Sequence, residues 1–144
     1  AKAQGATPFS VLQNEYNLVH RDDFGADLQA LCKANDIPML PYYSLAAGYL
    51  TGKYRDRTDL AGKQRGSTVK RYIDKGGPVL KAMDAIVKDI GATHAQVALA
   101  WLLEQPGIVA PISSATTADQ VDDLAEMLEL ELSEDQIAAL NGAI

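Results

Sequence analysis

Ile37-Pro38-Met39-Leu40-Pro41-Tyr42-Tyr43-Ser44 is apolar for its first half and polar or aromatic at its end. A short apolar run of this length, bounded by prolines, reads as a strand buried on both faces. The same shape occurs twice more. Phe9-Ser10-Val11-Leu12 runs into Gln13-Asn14-Glu15, and Ile108-Val109-Ala110-Pro111-Ile112 runs into Ser113-Ser114. Helical patterns lie between the three. Asp22 or Asp23 caps a helix with Phe24, Leu28, Leu31 and Cys32 on one stripe. A second helix starts near Pro78 and carries Val79, Leu80, Met83, Ile86, Val87 and Ile90, with Gly91 ending it. Thr93-His94-Ala95-Gln96 is a capping box opening a third helix, apolar nearly all round from Val97 to Leu103 and therefore buried. Thr117 and Ser133 open two more. The order β-α-β-α-α-β-α-α predicts an α/β fold with three parallel strands, near 9–13, 37–42 and 108–112, covered by helices.

In such a fold the C-terminal strand ends share one rim, where loop N–H groups and helix N-termini converge. The polar ends Gln13-Asn14-Glu15, Tyr42-Tyr43-Ser44 and Ser113-Ser114 fall there. So does a long glycine-rich segment, residues 45–77, expected to be a basic loop on the ligand side. Residues 53–75 hold eight of the chain's 13 cationic side chains against three acids, Asp56, Asp59 and Asp74. The remainder is acidic, and the net charge is −6. One basic loop on an acidic chain suits a small anionic ligand rather than nucleic acid, which needs a broader basic face. The helix opening at Thr117 adds its amides to the same rim. Each sign has an ordinary explanation: charged loops are solvated, caps cap helices, and tyrosines at strand ends close cores.

Composition narrows the rest. The single cysteine, Cys32, permits no internal disulfide and fits a reducing cytoplasm. His20 and His94 lack ligand spacing, so no metal site is expected. No apolar run is long enough to span a membrane. No catalytic motif stands out. Ala1 to Gly5 reads as the last turn of a helix, so the chain is expected to begin inside a larger protein.

Three stretches resemble the aldo-keto reductase superfamily: Leu12-Gln13-Asn14-Glu15-Tyr16-Asn17, Tyr42 to Tyr54, and Ala95 to Asp123, which contains Ala95-Gln96-Val97-Ala98-Leu99-Ala100-Trp101-Leu102-Leu103. The resemblance covers essentially the whole chain, 1–144, as one partial domain. It implies the C-terminal half of a (β/α)8 TIM barrel that reduces aldehydes or ketones with NADPH, NAD being the less favoured cofactor. The family's catalytic aspartate, tyrosine, lysine and histidine come from strands this chain lacks, so it should carry no catalytic residue and be inactive alone. By the same resemblance Gln13 holds the nicotinamide amide and Tyr42 stacks on the ring. Tyr43, Leu45 and Ala46 wrap the pyrophosphate, Lys53 and Arg65 belong to the covering loop, and Ser114, Thr116, Gln120 and Asp123 hold the adenosine end. Three departures stand out. Tyr43-Ser44 replaces a frequent Ser-Pro, Thr116 sits where an arginine often contacts the 2′-phosphate, and Leu124 where an asparagine often contacts adenine. The resemblance leaves a non-enzymatic half-barrel used for binding or regulation as the alternative. Self-association, or pairing with a missing N-terminal half, is expected to cover the open strand edges.

Overall fold

A computed structural model describes residues 1–63 and 65–144. Among the described residues there are five α-helices, α1 (Ala26–Ala34), α2 (Gly66–Ile90), α3 (His94–Leu103), α4 (Ala118–Glu126) and α5 (Glu134–Asn141), together with short 3-10 turns.

The three expected strands do not form. Among the described residues, pairing is confined to isolated parallel bridges of Leu12 with Met39, Glu15 with Tyr42, and Met39 with Ile108. The half-barrel with a three-stranded sheet is therefore not the observed fold; the chain is predominantly helical. Proline chemistry accounts for much of the interruption. Met39 donates to Gly107 O at 2.9 Å and accepts from Val109 N at 3.2 Å. The next parallel step would use the N–H groups of residues 41 and 111, and both are prolines. Ile112 N reaches Pro41 O instead, at 2.9 Å. The apolar runs 9–12, 37–40 and 108–112 are extended segments held at single points.

The helices are also placed differently from expectation in two regions. α2 begins at Gly66 rather than near Pro78, so the last third of the expected 45–77 loop is helical, and Pro78 lies inside the helix. Residue 64, within that loop, lies outside the described residues. Val69, Tyr72, Gly76, Val79, Leu80, Met83 and Ile86 make one continuous buried face at helical spacing, and burial along it sustains the extra turns. Phe24 sits not on α1 but in a 3-10 turn, Asp22–Phe24, and Leu31 of the expected stripe is exposed.

α3 is the centre of the core. Residues 95–102 are all buried, and the Thr93 capping box is formed in both directions. Trp101 stacks on Tyr16 with ring centroids 5.8 Å apart, while Tyr16 meets Phe24 edge-on. Arg21 lies over the Trp101 ring at 4.9 Å and donates to Leu140 O and Asn141 O, closing the C-terminal end of α5. Trp101 Nε1 donates to Asn141 Oδ1 at 2.9 Å. No helix among the described residues is long and apolar enough to cross a membrane.

Candidate functional site

The turn after the second extended segment is built against the usual backbone preference. Tyr43, Ala46 and Ala47 take φ of 51°, 50° and 57°, followed by Gly48 at 98°. Left-handed φ costs a non-glycine residue on the order of 1 kcal/mol, and such residues concentrate at ligand clamps. The surroundings over-determine the turn. The buried Asn17 donates from Nδ2 to Tyr43 O at 3.0 Å while its Oδ1 accepts from Val19 N and His20 N. Buried Ser44 donates from Oγ to Pro41 O at 3.0 Å, and Ala46 N donates to Tyr43 O at 2.7 Å.

This turn forms one wall of a groove. A cavity of about 600 Å³ is bordered by Gly48, Lys53, Lys63 and Arg65 on one side and by Ser114, Thr116, Gln120 and Asp123 on the other. A smaller one, about 260 Å³, shares Ala47, Arg65 and Ser114 with it and continues past Tyr43, Thr68 and Ile112. Of the residues expected from sequence, Lys53, Arg65, Ser114, Thr116, Gln120 and Asp123 meet in the larger cavity and Tyr43 in the smaller. Gln13, Tyr42, Leu45 and Ala46 border neither. Gln13 is exposed, Ala46 is fully buried in the core, Leu45 is half-buried, and Tyr42 stands edge-on to Tyr43 at 5.5 Å. Sequence reading left out Lys63, counted only as loop charge, and Thr93, taken only as a cap; both border the larger cavity. A hollow of about 770 Å³ lies at the opposite end of the extended segments, around Cys32, Ile37, Pro38 and Val109. It contains none of the expected residues and is mostly aliphatic.

Charge is distributed to suit an anion in the groove. The basic segment's arginines are partly used for construction: Arg55 binds Asp84 through both terminal nitrogens, at 2.9 and 2.8 Å, and Arg57 binds Asp74 at 2.6 Å. His94 Nε2 also lies 2.7 Å from Asp84 Oδ1. The Arg55 hydrogen bonds, assisted by His94, hold the Asp84 carboxyl below its usual range. Among the described residues Lys53, Lys63 and Arg65 form no ion pair and border the groove, the Lys53 ammonium lying 5.1 Å from the Tyr54 ring centroid. Opposite them, α4 opens with Thr117 accepting from Gln120 N, while Thr116 N and Oγ1 both donate to Gln120 Oε1, at 2.8 and 3.1 Å. Asp123 is drawn aside, its carboxylate 3.4 Å from Thr93 Oγ1 and its carbonyl accepting from Gln96 Nε2 at 3.0 Å.

Glu15, His20 and Asp23 bring possible ligand atoms within 4.8 Å of one another. Both oxygens of Glu15 already accept hydrogen bonds, from Tyr72 and Arg71, and His20 Nε2 faces Asp23 at 3.2 Å. Protein donors thus occupy the cluster's most buried member.

Comparison with known proteins gives a consistent result. The model described as the aldo/keto reductase family matches residues 1–144. The chain is 35% identical over 133 residues to Protein tas of Escherichia coli, covering 90% of this chain and 38% of that protein. It is 33% identical over 149 residues to an uncharacterized oxidoreductase, Mb2320, of Mycobacterium bovis, covering 99% of this chain and 45% of that one. The chain thus spans less than half the length of these relatives. Among solved structures, a thermostable aldo-keto reductase, Tm1743, crystallised with the inhibitor epalrestat, matches with a TM-score of 0.66 at 24% identity. That match covers 94% of this chain and 40% of Tm1743.

Proposed function

The chain belongs to the aldo/keto reductase family, and from that premise we propose that its groove is the cofactor-binding part of an NAD(P)H-dependent oxidoreductase that reduces aldehydes or ketones. The observation that carries the proposal is the convergence of Lys53, Arg65, Ser114, Thr116, Gln120 and Asp123 on one cavity. These residues come from two separate stretches of the chain, 53–65 and 114–123, and line one cavity.

The donor set fits a nicotinamide dinucleotide. Three cations offset the phosphates. At the far end the side chains of Ser114, Thr116 and Gln120 offer polar donors and acceptors. Tyr43, which borders the smaller cavity and is partly exposed, offers an aromatic face at the near end. NADPH is favoured over NADH because Lys63 and Arg65 add charge on the side opposite Thr116, where an arginine is missing. The bound nucleotide supplies a hydride. The chain's own residues bind it, orient it and neutralise its phosphates. Hydride addition to a carbonyl also needs a positioned acid for the developing alkoxide. That acid and its partners would come from outside these 144 residues.

Titration of the chain with NADPH, followed by nucleotide fluorescence, tests the proposal. Saturable binding is expected, weaker for NADH, with no turnover of a small aldehyde above a heat-killed control. Absence of nucleotide binding by both this chain and the longest natural form would sink it. Aldehyde reduction by the 144 residues alone would sink the assignment of the acid to another segment.

A further inference from the structure

The first turns of α2 carry a polar cluster to which the cofactor reading gives no role. Glu15, only 4% exposed, ends the first extended segment. Its Oε1 accepts from the Tyr72 hydroxyl at 2.6 Å, and its Oε2 accepts from Arg71 Nη2 at 2.7 Å. The same nitrogen donates to the Tyr72 oxygen at 2.6 Å. Burial, then the Glu15 carboxylate, pushes the Tyr72 phenol far above its usual range, which keeps it a hydrogen-bond donor. A buried carboxylate left without partners would be strongly destabilising, so this anchor is firm.

The guanidinium does more than neutralise Glu15. It lies 4.6 Å from the Tyr72 ring centroid and 5.7 Å from that of Tyr43. Tyr72 is also held by Tyr49, stacked at 6.4 Å. Tyr43, by contrast, is pinned through its backbone by Asn17, while its ring is 43% exposed, with Tyr42 edge-on and Arg71 beside it. Arg71 therefore connects the rigid interior, through Glu15 and Tyr72, to the most loosely held aromatic ring of the groove wall. A lysine at 71 could neutralise Glu15, but only a planar guanidinium can bridge the carboxylate and lie against a ring.

We propose that Arg71 is a positioning residue of the groove: anchored by Glu15 and Tyr72, it holds the Tyr43 ring in the orientation that receives the cofactor. This rests on the cofactor assignment of the groove, so the test has one arm that needs no cofactor. In protein carrying isotope-labelled tyrosine, Arg71→Met should shift and broaden the Tyr43 ring resonances while leaving those of the buried Tyr16 and Tyr54 in place. The NADPH dissociation constant should rise about tenfold, and the thermal midpoint should fall, because buried Glu15 keeps Tyr72 but loses its cation. Arg71→Lys should restore the midpoint but not the affinity. Unchanged Tyr43 resonances in Arg71→Met, or full recovery of affinity in Arg71→Lys, would overturn the proposal. A Tyr43 response in a protein whose wild type binds no nicotinamide nucleotide would instead overturn the cofactor assignment and leave only a ring clamp.

Discussion

Gly76 and Gly77 are neighbours in α2, yet replacing each with alanine should move stability in opposite directions. A Cβ on Gly76 would press into the Tyr49 ring, closest to Cε1 and only 2.9 Å from Cζ and Oη. Carbon atoms prefer about 3.5–4.0 Å, so ring or helix must give by more than an ångström. Neither can do so freely: Tyr49 is 1% exposed and stacked on Tyr72. Overpacking of this kind costs about 1–3 kcal/mol. The contact is with ring atoms rather than a flexible chain end, which places it towards the upper part of that range. Alanine returns up to about 1 kcal/mol of helix propensity, for a net loss of about 1–2 kcal/mol. Around Gly77 a Cβ meets nothing within 4 Å, so the propensity gain of about 0.5–1 kcal/mol stands alone. The two variants should differ by about 1.5–3 kcal/mol, or roughly 5–10 °C in Tm for a chain of this size. Thermal denaturation followed by far-UV circular dichroism measures both. A Gly76→Ala protein as stable as Gly77→Ala would refute the close packing of α2 on the 46–51 turn, and with it the account of how the groove wall is supported.

Other outcomes follow from the same contacts. Lys53→Ala should raise the NADPH dissociation constant about fivefold, the worth of one charge-assisted contact of about 1 kcal/mol, with little effect on kcat at saturation in the active protein; fluorescence titration beside steady-state kinetics checks it. Asp84 is held below the ordinary carboxylate range, so its pairing stabilises the fold above about pH 4 and is lost as pH falls through the lowered value. Asp84→Asn should therefore cost up to about 1 kcal/mol at neutral pH, the ceiling for an exposed pair, and progressively less in acid; urea denaturation across that range reads the trend. Val11, Val109 and Ile112 are each at least 40% exposed, and such neighbouring apolar side chains are expected to be covered. Sedimentation of the chain at low micromolar concentration should show self-association unless another segment covers them, and a lone monomer would remove that expectation.

The sequence by itself determined the helices whose signals are local. The Thr93 capping box and the helix start at Ser133 sit where the pattern put them, because a cap needs only residues three apart. The box expected at Thr117 is half formed: Thr117 accepts from Gln120 N, but Gln120 Oε1 accepts from Thr116. The all-round apolar run from Val97 to Leu103 is buried as its composition requires, except at Leu103, the last residue of α3, which is 37% exposed. The family was legible for the same reason: Tyr42 to Tyr54 and Ala95 to Asp123 are continuous strings. Tertiary structure decided what depends on partners distant in the chain. Apolar runs at 9–12, 37–40 and 108–112 look like strands, but a strand exists only when a neighbour's donors meet its acceptors. Pro41 and Pro111, harmless when read one at a time, fall on the same missing step. The start of α2 was hidden because glycines at 66, 76 and 77 suggest a loop, while Tyr49, packed on Gly76, and Glu15, bound to Tyr72 and Arg71, make the helix worthwhile. Sorting the basic segment likewise required the fold. Among the described residues, Arg55, Arg57 and Arg71 are tied to Asp84, Asp74 and Glu15, whereas Lys53, Lys63 and Arg65 border the groove and Lys70 and Lys75 do neither, a division that depends on where the chain places the acids and the groove.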